Sequence, residues 1–195
     1  MERLVFFSDA VVAIAITLVV LPLVDSARGL DGRTAAVFLR QNSTGLIAAA
    51  ISFGVIGSFW REHHRMFDTA TGYTPRVMQL NLFWLAGIMA VPVVTVLVVS
   101  GTGTDRLALG LYLGVILAIR LLLMAEELLL THAGVVRHGK IGRSMLLRQA
   151  LPAGLILLAL ATTMVVPAWG MWPVVILAVE RPLRLVLAPN SATQA

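Results

Sequence analysis

Asp9 lies inside the first long apolar block of the sequence, close to its start. An ionisable group in such a block is costly to bury, so it either hydrates at an interface or faces a partner on another helix. Donors occur in Trp60-Arg61-Glu62-His63-His64-Arg65, at the end of the second apolar block. If the two blocks cross antiparallel, Asp9, Trp60 and His63 lie at similar depth. The two histidines also suit a hydrated helix end, where they complement the C-terminal dipole. Adjacent histidines point about 100° apart on a helix and Glu62 is the only acid within the segment, so no metal site is expected. Arg120, Glu126 and Glu127 interrupt the fourth block; a mid-span arginine calls for a pairing partner or a watery crevice.

The elements that must position these residues follow from composition. Of 195 residues, 58% are hydrophobic and 13% charged, and the mean hydropathy is +0.90. Too few polar residues remain to cover a soluble domain, and the apolar ones come in long runs, so lipid is the solvent for most of the chain. Six spans are expected: Leu4 to Val24, Thr34 to Phe67 (purest from Gly45 to Trp60), Val77 to Ser100, Leu107 to Leu130, Met145 to Val166, and Met171 to Leu187. Pro167-Ala168-Trp169-Gly170 joins the last two as a tight hairpin with an interfacial tryptophan. Pro92 should kink the third span. The expected organisation is one six-helix transmembrane domain over residues 1–188, followed by a short tail over 189–195.

Charge sets orientation. With the N-terminus inside, the inner side holds Arg3, Arg61, Arg65, Arg76, Arg137, Lys140, Arg143, Arg148, Arg181 and Arg184. The outer side holds Arg28, Arg33, Arg40 and Arg106. The bias predicts both termini in the cytoplasm, in agreement with an even span count. The net charge of +5 is spread between apolar blocks, not gathered in one patch, so nucleic acid is not an expected partner. Glu2 and Asp9 offset Arg3, so the first block reads as a retained helix and not as a cleaved signal. There is no cysteine, which excludes disulfides and thiolate metal sites.

Ile14, Leu18 and Leu21 recur at i, i+4 and i+7 along the first span, with Thr17 on the same side. Such a stripe is ordinarily a packing face. Around a symmetry axis it becomes rings of branched side chains beside a hydroxyl ring, and such rings can gate by dewetting. Several signals are absent or misleading. Thr71-Gly72-Tyr73-Thr74 lacks the full potassium-filter signature and lies in a connection. No helix carries arginine at every third position, so no voltage sensor is present. No G-x-S-x-G, Walker or H-E-x-x-H pattern occurs, and no enzyme activity is expected. Asn42-Ser43-Thr44 matches a glycosylation sequon by chance.

Arg3-x-x-x-Phe7-Ser8-Asp9, followed by Ala10-Val11-Val12-Ala13-Ile14-Ala15-Ile16-Thr17-Leu18, strongly resembles the transmembrane protein 175 family of potassium channels. Trp60-x-x-His63-His64-x-x-Phe67 resembles the end of that family's second helix, and Leu80-Asn81-Leu82-Phe83 with Leu85 and Pro92 resembles its third. The resemblance covers residues 3 to 92; beyond it only helix number and hydrophobicity agree. It implies an all-α integral membrane protein with six helices per subunit, assembled as a homotetramer in a prokaryotic cell membrane. It implies a pore lined by the first helix, constricted by Ile14, Leu18 and Leu21 with Thr17 as a polar ring. It also implies an anchoring network of Arg3, Phe7, Ser8, Asp9, Trp60, His63 and Asn81. Pro22 stands where the family often has an acidic residue. The permeant potassium ion, other monovalent cations, lipid and sister subunits are the expected partners, and no cofactor is implied. Two other readings remain open: a proton- or cation-coupled secondary transporter using Asp9, His63, Arg120 and Glu126 as a relay, and a non-transporting membrane scaffold.

Overall fold

The computed structural model describes residues 2–29, 32, 34–101, 105–137 and 143–165, with the side chains of 143–149 excepted. Its helices are α1 (Glu2–Arg28), α2 (Ala35–Gln41), α3 (Ser43–Thr69), α4 (Pro75–Ser100), α5 (Arg106–His132) and α6 (Arg143–Val165). Among the described residues four helices, α1, α3, α4 and α5, are long and apolar enough to cross a membrane. At about 1.5 Å per residue each is roughly 40 Å long, more than the hydrocarbon thickness.

Two boundaries differ from the sequence reading. The expected span from Thr34 to Phe67 is broken into α2 and α3, because Asn42 leaves helical geometry (φ −105°, ψ 16°). Its side-chain Nδ2 donates to the Phe38 carbonyl and closes the end of α2. The fifth expected span corresponds to α6, whose described apolar part, Ala150–Val165, is shorter than a full crossing. The sixth span, the Pro167–Gly170 hairpin and the tail lie outside the described residues.

Local chemistry fixes the helix ends. Pro75 opens α4 behind Thr74, whose hydroxyl accepts from the Val77 N–H. Asp105 caps α5 by accepting from the Leu107 and Ala108 N–H groups. Gly134, at φ +68°, supplies the left-handed turn that ends α5. The chain beyond it returns to the α3–α4 connection, where Thr71 N–H donates to Val135 O at 2.7 Å and Arg137 N–H to Thr69 O at 3.0 Å. The Thr71–Thr74 segment is therefore connection, as read from sequence.

The short α3–α4 and α4–α5 connections make these helices alternate in direction. α1 and α3 are also antiparallel, since Asp9 meets Trp60 at one end and Gly45 faces Leu23 at the other. The end at which α1 begins is called proximal below, the opposite end distal. α4 is the central element, packed against α1, α3 and α5, with α6 on the far side of α5. α4 and α5 approach closely at Gly87, where an added Cβ would stand 2.7 Å from Ile119 Cγ1. Trp84, Ile88, Val91, Leu113, Ile116 and Ile119 fill the space between them. α4 continues as helix through Pro92.

Candidate functional site

The buried face of α1 is Leu4, Ser8, Val12, Ala15 and Val19, a stripe at helical spacing. At its proximal end this face carries a directional hydrogen-bond chain. Ser8 Oγ–H donates to the Leu4 carbonyl at 2.9 Å. Its oxygen therefore accepts from Asn81 Nδ2–H, at 3.0 Å. Asn81 Oδ1, which can only accept, lies 2.8 Å from His63 Nε2, so Nε2 carries a proton and donates. Ser8, Asn81 and His63 are all buried. The His63 ring is stacked on Trp84 (centroids 4.2 Å apart, 12° between planes) and tilted against Phe67. Beside this chain, Trp60 Nε1–H donates to Asp9 Oδ1 at 2.8 Å. The resulting clasp joins α1, α3 and α4 at a single level.

Five of the seven residues expected in the anchoring network are thus brought together: Ser8, Asp9, Trp60, His63 and Asn81. Arg3 and Phe7 form no part of this chain of bonds within the subunit. At about 100° per residue, Phe7 lies roughly 100° and Arg3 roughly 140° around α1 from Ser8. Both are exposed, Phe7 to 52%. His64 is directed elsewhere, toward Asp68 (3.7 Å) and the Trp60 ring. No group of three or more potential metal ligands occurs among the described residues.

The stripe expected to line a pore faces away from the subunit's own helices. Ile14 is 53% and Leu21 47% exposed, Thr17 is exposed, and Leu18 is half-buried at the edge of the packed face. By helical geometry the stripe is centred roughly 130° from the buried face. Thr17 donates its hydroxyl proton to the Ile14 carbonyl at 2.7 Å, which leaves its oxygen lone pairs free to accept.

Two further polar contacts were missed or only half seen in the sequence. At the distal side, Thr95 donates to the Val91 carbonyl at 2.7 Å. Its oxygen must then accept from Ser52 (2.8 Å), and Ser52 in turn from the Tyr112 hydroxyl (3.1 Å). Lone hydroxyls within apolar spans on three helices were the available signal. Toward the proximal side, Arg120, 2% exposed, pairs with Glu62. Arg120 thus has the partner its mid-span position demanded. Its Nε and Nη2 and both carboxylate oxygens of fully buried Glu126 make no hydrogen bond. Asp9, His63, Arg120 and Glu126 do not form the relay a transporter would need; no hydrogen bond joins any two of them.

An all-helical membrane bundle held by a Ser–Asn–His chain, with one face of its first helix left bare, defines the class. Residues 3–92 match the profile of the family described as endosomal/lysosomal potassium channel TMEM175. The chain is 35% identical over 136 residues to a potassium channel of Streptomyces collinus, an alignment covering 68% of this chain and 65% of the relative. Its fold is similar to the crystal structure of a lysosomal potassium-selective channel TMEM175 homolog from Chamaesiphon minutus. That match has a TM-score of 0.74 and 25% identity, and covers 94% of this chain and 96% of the other. The profile over residues 3–92, the Streptomyces relative and the solved homolog all make the chain similar to one family, TMEM175, whose members are described as potassium channels. The chain is a multi-pass membrane protein.

Proposed function

We propose that the chain is one subunit of a homotetrameric, leak-type potassium channel whose path is lined by Ile14, Thr17, Leu18 and Leu21 of α1. The observation that carries this reading is the division of α1 into two faces. One is bonded to α3 and α4 through Ser8 and Asp9, while Ile14 and Leu21 of the other stripe are about half exposed among the described residues. Four such stripes around an axis form stacked hydrophobic rings with Thr17 oxygens between them, a constriction that passes ions only when wetted. Trp60, His63 and Asn81 anchor the pore helix. The relative and the solved structure, both described as potassium channels, support the choice of ion. The distribution of basic residues supports both termini inside, and the Streptomyces and Chamaesiphon relatives support a prokaryotic cell membrane.

Purified protein should run at four subunits by mass in detergent and pass potassium in liposomes down its gradient. Leu18→Ala should change the flux. Well-folded tetramers without cation flux, or flux that saturates and runs against a gradient, would overturn the reading.

A further inference from the structure

The pore stripe and its clasp leave one deeply buried charge unexplained. Arg120 sits midway along α5, within the packed stripe that includes Ile116, Ile119 and Leu123. A guanidinium is always charged, and one held at 2% exposure in an apolar span is retained only where its contact matters. Its partner Glu62 stands on the one turn of α3 that also carries Trp60 and His63. Three side chains of that turn therefore reach three different helices: Glu62 to α5, Trp60 to Asp9 of α1, and His63 to Asn81 of α4, which itself bonds Ser8 of α1. Every polar bond from α3 to α1, direct or through Asn81, leaves from this turn.

α3 packs on α1 and α4 and only lightly on α5. Its position relative to α5 rests on two polar pins, Glu62–Arg120 and Ser52–Tyr112. They lie ten residues apart on α3, roughly 15 Å, enough to fix both tilt and rotation. α5 is itself packed between α4 and α6 and is the firm side of the contact. From these contacts we infer that Arg120 is a positioning residue of the permeation path, acting on α1 through Glu62 and the clasp turn; the inference rests on the channel reading of α1. The sensitive element is Leu18. It is half-buried, at the border between the packed face and the open stripe. A small rotation of α1 either turns Leu18 into the path or withdraws it, whereas Ile14 and Leu21 stay exposed through the same rotation.

The test is a bi-ionic reversal-potential and single-channel measurement on the tetramer in bilayers. It compares wild type with Arg120→Met, Arg120→Lys, Glu62→Gln and the exchanged pair Arg120→Glu with Glu62→Arg. Glu62→Gln and Arg120→Met are expected to shift the potassium-to-sodium permeability ratio or the unitary conductance at least two-fold, with unchanged mass. Arg120→Lys should restore part of the difference, and Leu18→Ala should abolish the effect of Glu62→Gln. Should Arg120→Met fail to fold, Glu62→Gln decides alone, since its side chain is 31% exposed and the amide oxygen of Gln still accepts from the Arg120 guanidinium. A conducting wild type whose ratio and conductance are unmoved by Glu62→Gln overturns this inference and spares the channel. A silent wild type overturns the channel reading and this one with it.

Discussion

The two faces of α1 obey different rules. The buried face packs Leu4, Val12, Ala15 and Val19 inward and closes its one hydroxyl into a chain of three hydrogen bonds, from His63 through Asn81 and Ser8 to the Leu4 carbonyl. The stripe of Ile14, Thr17 and Leu21 is exposed among the described residues, and its one hydroxyl is satisfied within the helix. On the proposed channel reading, stability is invested on one side of α1 and function on the other. A substitution on the first face should be felt as lost protein, and one on the second as altered flux.

Asn81→Leu attacks the first face hardest. It removes both bonds that Asn81 makes and leaves the His63 Nε2–H without an acceptor in a buried site. Interhelical side-chain bonds in membranes average about 0.6 kcal/mol, but an orphaned buried donor costs about 1–3 kcal/mol. The expected loss is about 2–3 kcal/mol, read as a lower melting temperature and less tetramer in detergent. An unchanged melting temperature would show that the clasp does not hold α1. Asn81→Asp restores the acceptor but not the donor to Ser8, and should fall between wild type and Asn81→Leu.

How much of this contrast the sequence displayed depended on spacing. Asp9, Trp60 and His63 were legible because polar groups within apolar blocks need partners and antiparallel crossing puts them at one depth, whereas Ser8 and Asn81 entered only through the family resemblance. Arg3 and Phe7, from the same run, stand on another part of α1, because neighbours in a motif need not share a helix face. Ser52, Thr95 and Tyr112 went unread because isolated hydroxyls satisfy themselves within a helix as readily as across helices, and only the fold tells which. Thr17 and Ser52 look alike in sequence, yet Thr17 bonds its own backbone while Ser52 bridges α4 and α5. The break at Asn42 lies in a polar run, Arg40-Gln41-Asn42-Ser43-Thr44, which the expected span from Thr34 to Phe67 passed over.

The distal hydroxyl chain provides a control for the proximal clasp. Tyr112→Phe deletes only the donor that ends the chain, leaving Ser52 bonded to Thr95. The expected cost is about 0.6–1.7 kcal/mol, less than for Asn81→Leu because no buried donor is orphaned. A larger loss would place the main anchorage of α3 at the distal side. Trp60→Phe keeps the ring and removes the bond to Asp9, which is only partly buried. It should cost about 0.6 kcal/mol, with a corresponding small fall in melting temperature. Its effect should vanish in an Asp9→Ala background if the bond is the whole interaction.

Thr17→Val is the sharpest probe of the second face because its effect on stability should be the smallest. The two side chains have nearly the same shape, the site is exposed in the subunit, and the lost bond runs to the carbonyl of Ile14 within the same helix. An exposed substitution of this kind changes stability by about 0.5 kcal/mol or less, so melting and tetramer mass should stay near those of wild type. If α1 lines the path, however, the change removes four oxygens from a ring otherwise built of branched alkyl groups. That raises the cost of wetting and of holding a partly dehydrated cation there, and potassium flux should drop with the tetramer intact. A variant that melts and assembles like wild type and conducts like it would place Thr17 outside the path. A variant that loses stability instead would erase the distinction between the two faces of α1.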